Sequence, residues 1–332
     1  MCVLISPANN AVIDLYTAVQ AEFIEKIEKQ GIAAALDWLL PIKCESELTY
    51  PVAVEFSWEP DASSAYVFEL AQNEAFCAPF VTKTKEPHFT LTNLEVGKKY
   101  YWRINGGNHH VFETVKRQYR FIKIDGALNV RDLGGIRIKQ GLIYRGSEIN
   151  REYKITEDGI RAWKQLGIKT EINLRKDAGS EFATSCIGPD VGYKYLPYRP
   201  YSEVFEEMHR KELVDIMECL ADANNYPIYF HCLGGADRTG MIALFLRGLL
   251  GENEESILTD YELTSLSSYA YGKAEGVSAL GFRSRYTEYF QRFYDRFKAC
   301  PGNTLQEKTT AFLLECGVLP QTISKIKHIL AQ

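Results

Sequence analysis

The chain has 332 residues, 46% of them hydrophobic and 24% charged, which is enough for two domains of ordinary globular make-up and too much for one small domain. A formal net charge of −5 and the lack of any basic run argue against nucleic acid or an anionic membrane surface as a partner. Eight cysteines (2, 44, 77, 186, 219, 232, 300 and 316) stand singly, without CxxC pairs or Cys/His ligand spacing, so neither a zinc site nor a disulfide framework is indicated and free thiols in a reducing compartment are expected.

The amino terminus lacks a charged leader with an apolar run and a small-residue cleavage site, and no window approaches the ~20 apolar residues of a membrane helix. A cytoplasmic protein is expected, with export by a route that needs no signal peptide left open. Val12, Leu15, Val19, Phe23 and Ile27 recur at spacings of three and four, predicting an amphipathic helix over 11–31 with Gly31 as its stop. A second helix runs from Ile32 to about Leu40, before Pro41. Together these make an N-terminal helical extension over residues 1–45, whose apolar stripe is read as ordinary core packing.

From Pro51 the period becomes two. The runs VAVEFSW, SAYVFEL, HFTLTNL, KKYYWRI and HHVFETV are short, alternating and separated by Gly, Pro, Asn or Asp, which predicts an all-β sandwich over residues 46–122. Within it, Leu94-Glu-Val-Gly-Lys-Lys-Tyr100 resembles the corner of a fibronectin type III domain, with a leucine six residues before a corner tyrosine. The resemblance implies a spacer or binding module and names no ligand or protein partner.

Beyond residue 122 strands alternate with helices. IRIK-QG-LIYRG reads as a hairpin turning at Gln140-Gly141. A helix comes after Thr156, a plausible N-cap with Ile155 and Ile160 placed as a hydrophobic staple, and ends near Gly167. Then come a strand over Ile168–Leu174, a buried-type strand in YPIYFH (226–231) and an almost wholly apolar helix over 241–251. Strand, loop and buried helix form the phosphate-binding arrangement of an α/β domain with a central, mostly parallel sheet flanked by helices, here residues 123–332.

Between that strand and helix lies His231-Cys232-Leu233-Gly234-Gly235-Ala236-Asp237-Arg238-Thr239-Gly240. A cysteine that opens a tight glycine-containing loop running into a helix N-terminus can have its thiolate stabilised by loop amides, the helix dipole and a neighbouring arginine. From Cys232 to Arg238 there is enough chain to turn successive N–H groups inward on phosphate oxygens while the guanidinium grips two of them. Leu233, Gly234, Gly235, Ala236, Asp237 and Arg238 are therefore the expected phosphate-binding residues. Chance agreement at these offsets is on the order of one in a million from average residue usage.

These residues match the HCxxGxxRTG signature, and the chain resembles the protein tyrosine phosphatase superfamily. The resemblance implies that Cys232 is the phosphocysteine-forming nucleophile and Arg238 the phosphate-binding arginine, with His231 tuning the thiol and Thr239 hydrogen-bonding the sulfur. GALNVRDLGG (126–135), LIYRGSEI (142–149), NLRKDAGSE (173–181), the Asp260-Tyr-Glu-Leu segment and the closing FLLECGVLPQTISKIKHIL resemble a bacterial tyrosine/lipid phosphatase branch whose loop reads HCxxGKDRTG. Ala236 replaces that lysine, removing a charge suited to a second phosphate, and Asn173 stands where relatives carry an aspartate.

The leaving oxygen needs a proton. Asp237 is the candidate, because lipid phosphatases of the myotubularin type are thought to use an aspartate at this loop position; the alternative is an acceptor that holds Arg238 or caps the helix. Asp177 and Asp190 are weaker candidates. The tyrosines of 193–201 with Arg199 either wall a pocket for an aromatic phosphate or are ordinary packing. Asn129, Arg131 and Asp132 either touch the site or stabilise the turn before Gly134-Gly135. The expected activity is hydrolysis of phosphotyrosine in a protein or peptide, with dual specificity if the pocket is shallow, no metal and no cofactor. A phosphoinositide or inositol-phosphate substrate is the alternative, and an idle docking protein a third reading.

Overall fold

The computed structural model describes residues 2–42, 47–176, 183–271 and 289–332. Cys44 and Asp177 lie outside them. The chain divides into two compact units, residues 1–17 with 51–120 and residues 18–50 with 121–332.

In the first unit the period-two runs form strands, because alternation sends every second side chain to one face. One sheet orders Leu4–Ser6, Val54–Trp58 and His88–Leu91; the other orders Ala11–Ile13, His109–Thr114, Lys99–Ile104, Tyr66–Ala71 and Phe80–Thr84. Phe56 of the first sheet meets Phe68, Trp102 and Phe112 of the second at ring-centroid distances of 4.8, 5.3 and 5.8 Å, all edge to face. The Tyr100 hydroxyl accepts from the Glu95 amide at 2.9 Å, a tie between a strand and the turn just before it. Phe80–Thr84 escapes the period-two reading because it carries no fully buried residue, lying at the edge beside Tyr66–Ala71.

The helix expected over 11–31 begins only at Ala18 and ends at Gln30. Ala11–Ile13 instead pairs in parallel with His109–Thr114, leaving Val12 70% exposed. Asp14 takes the Tyr16 amide at 3.0 Å and the Arg117 guanidinium, an alternative to helical bonding for this stretch. The single extension over 1–45 is accordingly split, with residues 1–17 on the first unit and the helices Ala18–Gln30 and Ile32–Leu39 on the second.

The second unit carries, in sheet order, the strands Gly192–Tyr195, Thr170–Asn173, Ile228–His231, Ile143–Gly146 and Arg131–Asp132. Ile228–His231 is central and runs parallel to both neighbours. Both faces are covered, which is why the strands read as apolar runs. Ile143, Ile172, Ile228 and Phe230 face a core shared with the helices Glu207–Leu220, Asp237–Leu249, Gln291–Lys298, Leu305–Glu315 and Pro320–Leu330. Tyr144 and Tyr229 face the opposite way, onto Trp163 of the helix Glu157–Gln165. Thr156 caps that helix as expected, its hydroxyl accepting from Gly159 N at 3.1 Å.

The hairpin expected at Gln140-Gly141 is not formed. Ile143–Gly146 takes Arg131–Asp132 as its antiparallel partner, because Asp132 accepts from Gly134 N and Gly141 N, both at 2.7 Å, and closes residues 133–141 into a loop.

Candidate active site

The central strand ends at His231 and the helix begins at Asp237, so Cys232–Ala236 forms a loop at the carboxyl end of the sheet. Two glycines are required there. Gly235 has φ +67°, and a Cβ on it would lie 2.5 Å from the Gly146 carbonyl; a Cβ on Gly234 would lie 2.1 Å from the Tyr269 ring. The loop carbonyls are held outward. Leu233 O accepts from Glu148 N at 3.0 Å, Gly234 O from Asn129 Nδ2 at 3.0 Å and Gly235 O from Arg145 Nη2 at 2.6 Å. Among the described residues none accepts from the amides of Leu233, Gly234, Gly235 or Ala236. A turn whose carbonyls are fixed on one side and whose amides keep their donors, at the start of a 13-residue helix, can cradle an anion.

Cys232 opens this loop and is 3% exposed. Thr239, in the first turn of the helix, has a buried hydroxyl without a hydrogen-bond partner among the described residues, a donor available to a sulfur anion. His231 is fully buried; its Nε2 lies 2.9 Å from Glu171 Oε1, and Glu171 Oε2 accepts from Ser185 Oγ at 2.5 Å. This chain of bonds fixes the imidazole beside the cysteine.

Behind the loop three fully buried arginines surround Asp260. Arg145 Nη1 donates to Asp260 Oδ2 at 2.6 Å, Arg247 Nη2 lies 3.3 Å from Oδ1 and Arg131 Nε 3.5 Å from it, while Arg131 Nη2 donates to the Asp260 carbonyl at 3.0 Å. Glu252 binds Arg247 at 2.7 Å. Burial works to raise the Asp260 carboxyl, but Arg247, Arg145 and Arg131 outweigh it and hold the group well below the ordinary carboxylate range. The network's worth lies in where it aims Arg145, whose second arm holds the Gly235 carbonyl.

Asp237 and Arg238 line a cleft of about 600 Å³ with Lys176, Tyr198, Arg199, Tyr201 and Tyr289 among its walls. Asp237 Oδ1 accepts from the Tyr201 hydroxyl and from the Tyr261 hydroxyl at 3.4 Å. Burial, with Tyr261 and Asp237 beside it, holds the Tyr201 phenol well above its ordinary range, so it stays a donor. Tyr201 adopts φ +63°, rare for a bulky side chain, and its ring stacks on Tyr289 at 6.1 Å. Arg199 is paired with Glu203 at 2.8 Å and lies 3.6 Å from Glu212. A larger cavity of about 880 Å³ lies between Glu218–Ala223 and Gln321–Ile329 and includes none of these residues.

A model of the tyrosine phosphatase family matches residues 122–332. The chain belongs to the tyrosine phosphatase family. Among solved structures, the core catalytic domain of a PP-IP phosphatase from S. cerevisiae, in complex with citrate, is similar at 16% identity over 49% of this chain and 90% of that one, with a TM-score of 0.31. No curated protein sequence matches.

In this phosphatase the residues of the signature loop, His231 to Thr239, stand together at one strand end and one helix start. Of the three residues expected either to touch the site or to stabilise the turn, Asn129 and Arg131 bind the loop and Asp260, whereas Asp132 stabilises the turn. Of the tyrosines in 193–201, Tyr198 and Tyr201 reach the cleft, while Tyr193 binds Asn173 Nδ2 at 2.8 Å. Asp190 is exposed and is not among the cleft's lining residues. Glu171, Arg145, Glu148 and Tyr261 were given no role from sequence, although the last three lie in the family-like segments LIYRGSEI and Asp260-Tyr-Glu-Leu; for Glu171 the visible signal is a carboxylate in a buried strand, costly unless paired. Among the described residues no cluster of His, Cys, Asp and Glu is arranged to hold a metal ion, and no helix is long and apolar enough to cross a membrane.

Proposed function

We propose that this phosphatase cleaves phosphomonoesters through a phosphocysteine on Cys232, with phosphotyrosine in a protein or peptide as its substrate. The thiolate attacks phosphorus in line, and Arg238 with the amides of 233–238 takes the charge on the equatorial oxygens. The P–O bond to the leaving group breaks as Asp237 gives that oxygen a proton. Water then attacks the phosphocysteine, returns a proton to Asp237 and releases phosphate and the thiolate. The single observation that carries this reading is the loop with its three carbonyls fixed outward and the amides of 233–236 unspent among the described residues.

The aromatic walls Tyr201 and Tyr289 favour a phenyl phosphate over a small ester. Ala236, 3% exposed, offers no cation for a second phosphate, although Lys176 in the cleft keeps an inositol phosphate as the second reading. The first unit fits a fibronectin type III-like spacer or binding module, supported by the Tyr100–Glu95 bond and the core shared by its two sheets. Free thiols, with no disulfide among the described residues, suit a cytoplasmic setting.

The test is hydrolysis of a phosphotyrosine peptide in EDTA by wild type, C232S and D237N. Wild type should turn over, C232S should fall to background, and D237N should be slowed most with poor leaving groups. Full turnover by C232S would sink the mechanism, and faster release of phosphate from a phosphoinositide than from the peptide would move the substrate to the second reading.

A further inference from the structure

The family match begins at residue 122, yet the catalytic unit also includes residues 18–50. Among the described residues of that segment, Glu47 binds residues that in turn contact the signature loop. Glu47 accepts from the Asn129 amide at 3.2 Å through Oε1, and through Oε2 from Ser267 Oγ at 2.9 Å, Ser268 N at 2.9 Å and Ser268 Oγ at 2.8 Å. The Thr49 hydroxyl also donates to Oε1. Both arms end on Gly234. Asn129, fully buried and held at φ +58°, is the residue whose Nδ2 binds the Gly234 carbonyl. Ser267 and Ser268 open the short helix that carries Tyr269, and the Tyr269 ring occupies the space a Gly234 side chain would need.

Glu47 is itself strapped down. The buried Gln20, on the helix Ala18–Gln30, donates from Nε2 to the Leu48 and Tyr50 carbonyls, both at 2.8 Å, and Leu48 N donates to Leu266 O at 3.1 Å. So many bonds on one carboxylate, and two more on one amide, are an unusual investment for a connecting segment, and a left-handed asparagine costs about 1 kcal/mol unless its surroundings impose it.

We infer that Glu47 is a positioning residue for the phosphate-binding loop, supplied by the segment that precedes the family's own domain, and that through the Gly234 carbonyl it sets the Gly234–Gly235 peptide so that the Gly235 amide faces the bound oxyanion. The inference rests on the phosphatase reading above. Displacing the peptide misplaces an amide donor near the phosphate, and a shift near 1 Å at such a site costs on the order of 100-fold in rate.

The experiment compares the full chain with E47A, E47Q and E47D for kcat and KM on a phosphotyrosine peptide, and for binding of inorganic vanadate followed by thermal shift, which requires no turnover. E47A should lose roughly tenfold to 100-fold in kcat and weaken vanadate by a similar factor, with KM changing less. E47Q places an amide nitrogen against donors and should stay impaired, whereas E47D should restore part of both readouts. Unfolding midpoints without vanadate separate a loop effect from lost stability, and E47Q, nearly isosteric, serves if E47A does not fold. A folded E47A or E47Q with wild-type kcat and vanadate affinity overturns the inference alone. A wild-type chain that neither turns over nor binds vanadate overturns the phosphatase reading, and the inference falls with it.

Discussion

Both units have an apolar core, but only the second adds a cluster of buried ions to it. The first is filled by aromatic rings, with Phe56, Phe68, Trp102 and Phe112 wholly buried and in contact. The second buries Arg131, Arg145, Arg175 and Arg247 against Asp260, Glu148 and Glu252 at the back of the signature loop. Apolar surface stabilises at about 25 cal/mol per Å² whatever its arrangement, but buried ions return their desolvation cost only when geometry is good. Charge in a core is thus weak evidence of stability. Here it coincides with a directed hydrogen bond from Arg145 to the Gly235 carbonyl, which rings cannot make.

That contrast can be broken in order of effect. Asp260→Asn leaves three buried guanidinium groups short of charge and should cost about 3–5 kcal/mol while also lowering kcat, because Arg145 is no longer anchored. Denaturant unfolding and peptide hydrolysis check both. Phe68→Ala should cost a similar 3–5 kcal/mol in the first unit, by about the usual cost of an emptied aromatic site, with phosphatase turnover kept under conditions where the chain stays folded. A fall in kcat to match would mean that the first unit supports the catalytic one.

The Asp260 carboxyl also predicts an acid limb. Its folded value lies below its ordinary 3.8, so its contribution to stability is fully present above about pH 3.8 and is lost as pH falls through the lower folded value. The stability gap between wild type and Asp260→Asn should therefore narrow below about pH 3.8, read from melting temperatures between about pH 6 and 3. The smallest effect is expected for Tyr201→Phe, which removes one donor to Asp237: about 1 kcal/mol, or roughly fivefold in rate, greater for poor leaving groups. Equal loss across leaving groups would detach Tyr201 from the proton-transfer step.

The loop from His231 to Thr239 was legible because the groups proposed for it are local: Cys232, the loop amides and Arg238 lie within one turn of chain, and the glycine spacing reports the turn. The two-sheet unit was legible from alternation, apart from Phe80–Thr84, whose edge position leaves no buried face to create a pattern. Residues 11–17 misled because Val12 and Leu15 fit a helical stripe, yet one ends in solvent and the other in the core of the first unit.

By itself the sequence determined the features that neighbours along the chain dictate: the family, the tight turn from Cys232 to Ala236 between strand and helix, the Thr156 cap and the change from period two to strand and helix alternation. Tertiary structure alone decided which distant groups hold that loop. Glu171 meets His231 across 60 residues, Arg145 meets Asp260 across 115, and Asn129 meets Gly234 across 105. Such partners carry no spacing signal, because parallel strands and packed helices bring them together through the register of the sheet and the order of its strands.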